Sequence, residues 1–145
     1  MCQTYPDPHT LYQLEAIAGG AHYLAWVCRG VILWFQKEFK QALTALQYAI
    51  TLQYDKYWDQ QNIYWQRFWS DYFGPASYWQ KWDAHFWLGM VYLALDQEEE
   101  ARRAIEQALA LEMPPILLRP LAWFEQEKPK LYEQFVKPLL ATYEV

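Results

Sequence analysis

Three histidines, two cysteines and a set of aromatic residues interleaved with aspartates are the side chains of this sequence with chemical potential. The histidines are His9, His22 and His85, and the cysteines are Cys2 and Cys28. A structural metal needs His or Cys ligands a few residues apart in a repeated pattern. No such spacing exists here, so no metal and no cofactor is expected. A nucleophilic cysteine needs a neighbour that stabilises the thiolate. Cys28 sits in an apolar stretch and reads as a small buried hydrophobe. Asp55, Asp59 and Asp71 lie among Trp58, Trp65 and Trp69. Carboxylates beside aromatic faces suit a sugar or cation pocket, but solvated helix faces explain them more simply. There is no glycine-rich phosphate loop and no nucleophile elbow. No catalytic residue is assigned, and the expectation is a protein that binds, not an enzyme.

The bulk properties narrow what it binds. The chain has 145 residues, 54% of them hydrophobic and 20% charged, which suits one folded domain and excludes disorder. Nine Trp and twelve Tyr bring the aromatic content to 19%. That surface must be buried in a core, a partner or a ligand site. The net charge is −5. The twelve basic residues are scattered, so nucleic acid is not an expected partner. Apolar stretches are interrupted by Arg29, Lys37 and Asp96 before they reach the roughly 20 residues of a membrane span. No basic segment precedes an apolar run at the N-terminus, and a reducing cytoplasm is the expected location.

Helical spacing dominates the chain, and no stretch alternates strictly as a strand would. Residues 1–8 read as a tail, and 9–18 as a short helix ended by Gly19-Gly20. Helices are expected from about 21 to 36 and 39 to 54, joined by the polar turn Gln36-Lys37-Glu38. Residues 55–73 place Trp58, Trp65, Trp69 and Tyr72 at helical spacing before Gly74-Pro75 breaks the run. A second pair is expected from about 77 to 95 and 98 to 112. Its second helix opens with Glu98, Glu99 and Glu100, which suit the helix dipole. Glu98 with Arg102, and Glu99 with Arg103, are spaced to pair along it. Pro114-Pro115 ends this helix. Two weaker helices, about 116–126 and 129–142, follow among Pro120, Pro129 and Pro138.

The two pairs are copies of each other at an offset of 59 residues. Ala25 matches Ala84, Gly30 matches Gly89, and Ala42, Ala45 and Ala49 match Ala101, Ala104 and Ala108. The second copy presents His85, Leu88-Gly89 and Tyr92, then Ala101, Ile105 and Ala108. The first presents Trp26, Arg29-Gly30 and Leu33, then Ala42, Leu46 and Ala49. This pattern resembles the tetratricopeptide repeat, whose 34-residue unit has Trp, Leu-Gly and Tyr on one helix and Ala and a bulky apolar residue on the next. Arg29 departs from it at a normally apolar position, and His85 stands where the family has Trp. The glycines are expected to let the paired helices approach, with Leu46 and Ile105 plugging the gap to the neighbouring hairpin. The final segment is similar to tails that follow such repeats in some bacterial proteins.

The resemblance implies an all-α fold of TPR-like αα-hairpin repeats, a short right-handed α-α superhelix with capping helices. It divides the chain into a tail and short helix (1–20), a first repeat (21–56), an aromatic insertion of about 25 residues (57–81), a second repeat (82–115) and C-terminal capping helices (116–145). It also implies a protein–protein interaction module. By position, the partner-binding inner face holds Leu24, Val27, Val31, Trp34 and Phe35 from the first repeat. The second repeat supplies Asp83, Phe86, Met90, Leu93 and Ala94. These are mostly apolar and lack the Lys and Asn clamp that family members use for acidic peptide tails, so the expected partner is an apolar or amphipathic segment. Trp58, Trp65 and Trp69 of the insertion either touch that partner or fold back as core, and Trp34 joins them if they do. A homo-oligomer that buries the aromatic surface between subunits is the alternative, and an aromatic small-ligand pocket is a third reading.

Overall fold

A computed structural model describes residues 15–20, 22–52 and 82–145. The whole insertion (57–81), with Trp58, Trp65 and Trp69, lies outside the described residues, as do Cys2, His9, Asp55, Asp59 and Asp71. Among those described there is no strand, and no helix is long and apolar enough to cross a membrane. Four helices of equal length dominate: α1 (Tyr23–Phe35), α2 (Phe39–Thr51), α3 (Trp82–Ala94) and α4 (Glu98–Ala110). α1 packs along α2, α3 packs along α4, and α2 joins the hairpins by packing against α3.

The hairpins form because the apolar stripes of α2 and α4 are narrow and made of small residues. α2 buries Ala42, Ala45, Leu46 and Ala49, and α4 buries Ala101, Ala104, Ile105 and Ala108. Four small or medium side chains per helix allow close approach, and glycines on the facing helices complete it. A Cβ built on Gly30 would stand 2.4 Å from Leu46 Cγ, and one on Gly89 would stand 2.6 Å from Ile105 Cγ1. Leu46 and Ile105 therefore fill a notch in their own hairpin, where the sequence had suggested a plug toward the next one. α1 and α3 are apolar on nearly all sides, as helices enclosed by neighbours must be.

The turns repeat as faithfully as the helices. Lys37 and Asp96 both have φ of 62°. Each follows its first helix in the left-handed conformation and lets the next amide reach back five residues. Glu38 N donates to Leu33 O at 2.9 Å, and Gln97 N donates to Tyr92 O at 2.8 Å. This is the reciprocal C-cap that glycine usually supplies. Glu112 (φ 71°) closes α4 in the same way through Met113 N and Ala108 O. A non-glycine residue in this conformation costs about 1–2 kcal/mol, and glycine gives back part of that through its own chain entropy. Lys37→Gly should therefore raise stability by about 0.5–1 kcal/mol in urea unfolding. Asp96→Gly should gain less, because Asp96 Oδ1 accepts from Lys128 Nζ at 2.7 Å. Equal gains at both sites would contradict this account.

Two sequence expectations change in α4 and the tail. Glu99 and Arg103 approach to 4.0 Å, but Arg102 does not pair with Glu98. Its guanidinium lies 4.9 Å from the centre of the Phe135 ring, drawn toward the C-terminal segment. That segment is also less regular than two α-helices. Pro115–Trp123 is a 3-10 helix with Pro120 inside it, followed by α5 (Phe124–Glu127). Then α6 (Pro129–Leu131) runs through a π turn (Tyr132–Val136) into α7 (Lys137–Thr142). The π turn falls where the Pro138 ring would crowd the carbonyl four residues before it.

Candidate protein-interaction site

The side chains assigned to the partner face come together, but as packed interior. Leu24, Val27, Val31, Phe86, Met90 and Leu93 are fully buried, and Trp34 is 4% exposed. Phe35 is half-buried and is the one of these eight that is not buried. Ala94, at the end of α3, is half-buried too.

Trp34 explains much of this closure. It lies near the end of α1, where four other rings surround it. Phe39 and Trp123 stand at 5.1 Å between centroids, Phe124 at 5.8 Å and Trp87 at 6.2 Å. The contacts are tilted or edge-on, the arrangement that ring quadrupoles favour. Phe35 adds its ring at 6.2 Å from Trp87. The cluster thus draws on α1, α2, α3 and the C-terminal segment at once. Trp123 and Phe124 were not singled out in the sequence, because contact between residues so far apart leaves no periodic signal.

A second junction ties the starts of α1 and α3. Tyr23 and Trp82 are fully buried, and Asp83 is 5% exposed. The Tyr23 hydroxyl donates to Asp83 Oδ1 and accepts from Ala84 N at 3.1 Å. Ala84 N also donates to Asp83 Oδ1 at 3.1 Å. A buried carboxylate is tolerated because hydrogen bonds replace its water. Asp83 is therefore a structural link between the repeats, although position alone had placed it on the partner face. Tyr23→Phe removes one donor and leaves the carboxylate buried. It should cost about 1–3 kcal/mol in urea unfolding. A neutral effect would show that the link carries no stability.

The other chemically capable groups among the described residues have structural places. Arg29, at a position the repeat pattern keeps apolar, donates from Nη2 to Gly20 O and lays its guanidinium 4.1 Å from the Trp26 ring centre. Trp26 in turn meets the exposed Tyr48 edge-on at 4.5 Å. His22 caps α1 by accepting from Ala25 N at 3.3 Å through Nδ1. His85 is half-buried, and Cys28 is buried. Among the described residues no three His, Cys, Asp or Glu side chains are grouped to hold a metal ion.

The hairpin of α3 and α4, with Gly89 notched onto Ile105 and Asp96 closing the turn, is the part matched by a family model. The tetratricopeptide repeat model covers residues 82–113. The chain carries a tetratricopeptide repeat at these residues. The first TPR-like hairpin lies outside that match and repeats the same notch and the same left-handed turn. No curated protein and no solved structure matches the chain. The repeat is in general a protein–protein interaction module, and its family is typically a non-enzymatic scaffold.

Proposed function

We propose that the chain is a scaffold or adaptor domain that takes an apolar or amphipathic protein segment along the α1 and α3 side, in a cytoplasmic setting and without catalysis. The observation that supports this most is the ring cluster around Trp34. It gathers apolar surface from both hairpins at one place on the face assigned to partners, and half-buried Phe35 and Trp123 stand at its border. Partly exposed aromatic side chains over a packed floor make good anchors, because they lose little freedom on binding and bury much area. An amphipathic helix laid in such a groove would read as apolar residues three and four apart.

The fully buried members of the face are poor probes of this reading, since changing them alters the fold. Phe35→Glu is the better test. It places a charge at the accessible edge and leaves the buried rings intact. Proteins captured by the wild-type chain should be lost by at least tenfold with the variant, while helical circular dichroism stays unchanged. An identical set captured by the folded variant would remove this face as the binding site.

A further inference from the structure

The C-terminal segment holds the partner face by side chains alone. Among the described residues, no backbone hydrogen bond joins 115–145 to α1–α4; the amides of the segment bond within it or to the preceding Pro114. One ion pair crosses, from Lys128 to Asp96, and Asp96 is largely exposed. Arg102 crosses to the Phe135 ring. Trp123 and Phe124 against Trp34 form the apolar centre of the contact.

The segment is also poorly braced internally. A nine-residue 3-10 helix is long for that geometry, whose hydrogen bonds are weaker than those of an α-helix. Pro120 removes a donor within it, and the π turn at Tyr132–Val136 interrupts the next helix. Its connection to α4 is a left-handed Glu112 followed by Pro114 in extended conformation. Because the Met113 amide closes α4, the segment can turn only at Pro114, beyond that cap. The segment does bury Leu117, Leu118, Leu121, Phe124 and Val136, so its opening would be a cooperative local event of the kind that proteins show below their global stability.

We propose that residues 115–145 act as an exchangeable internal ligand, which seats Trp123 and Phe124 on Trp34 and which a partner segment displaces. This rests on the reading of the α1 and α3 side as the partner face. It adds that the face is closed in the resting chain and that the occupant to be replaced is an aromatic pair on a helical turn. The apparent affinity of a partner is then reduced by the fraction of molecules in which the segment is seated.

Native-state hydrogen exchange on the full-length wild-type chain tests the opening. Amides of 124–142 should exchange with protection at least tenfold below that of α3 and α4, and in one cooperative step. Exchange of the segment only together with α3 and α4 would overturn the proposal. Displacement is tested with a fluorescent peptide copying residues 115–136 of this chain. It should bind the full-length Trp123→Ala variant at least tenfold more tightly than the wild type. Equal binding, or none to a folded variant, would overturn the proposal as well. If Trp123→Ala does not fold, the exchange measurement on the wild type decides. Capture lost in Phe35→Glu, combined with uniform exchange, would sink the internal ligand and leave the interaction face standing.

Discussion

Trp34→Ala is expected to lower folding stability by about 3–5 kcal/mol. The indole is 4% exposed and touches the rings of Phe39, Trp87, Trp123 and Phe124. Truncation forfeits the transfer energy of a large side chain and leaves a hole that helices α1, α2 and α3 cannot all close at once. Phe35→Ala, one residue away, is the internal control. That ring is half-buried, so its loss should cost well under half as much. Urea unfolding followed by circular dichroism measures both. A cost below about 1 kcal/mol at Trp34 would mean that the cluster is loosely packed. The same measurement shows why Trp34 is unsuitable as a binding probe, because a variant that unfolds loses every partner.

Gly30→Ala should destabilise the chain by about 1–3 kcal/mol, although alanine is the better helix former by up to about 1 kcal/mol. The added methyl would meet Leu46 Cγ at 2.4 Å and Cδ2 at 2.7 Å. Cγ is the branch point of the side chain, so rotation about its end does not relieve the contact. α1 and α2 must move apart, and the buried Ala42 and Ala49 lose their fit. The Leu46→Ala background should recover much of the loss, with a coupling of about 0.5–3 kcal/mol in the double-mutant cycle. The pair Gly89 and Ile105, where the approach is 2.6 Å, should behave alike. A neutral or stabilising Gly30→Ala would show that the notch is slack, and the parallel between the two repeats would lose its physical basis.

Which parts were legible follows from the range of the interactions. Ala42, Ala45 and Ala49 recur in α4 because close helix packing imposes small residues at fixed intervals, and fixed intervals survive in a one-dimensional string. Gly30 and Gly89 were legible for the same reason. The left-handed turns at Lys37 and Asp96 were less visible, because the residue types differ and neither is the glycine that usually marks such a cap. Arg29 looked like a misfit in the repeat pattern. Its place became clear only with the carbonyl of Gly20 and the ring of Trp26 beside it. The pairing of Glu98 with Arg102 was a reasonable local expectation, overridden by an aromatic ring 33 positions away.

The chemically capable residues show the same division. The sequence by itself determined that no metal or nucleophile pattern was present, that the chain was helical, and that two hairpins repeated the tetratricopeptide spacing. Those properties depend on neighbours three, four or seven residues apart. Only the tertiary structure decided that Trp34 is enclosed by Trp123 and Phe124, and that Asp83 is bonded to Tyr23 in a buried link. Each of these pairs lies on different elements, so its geometry depends on how the hairpins and the C-terminal segment stack. Apolar attraction is non-directional, so the periodicity of a helix announces that a face will be covered without naming the side chain that covers it.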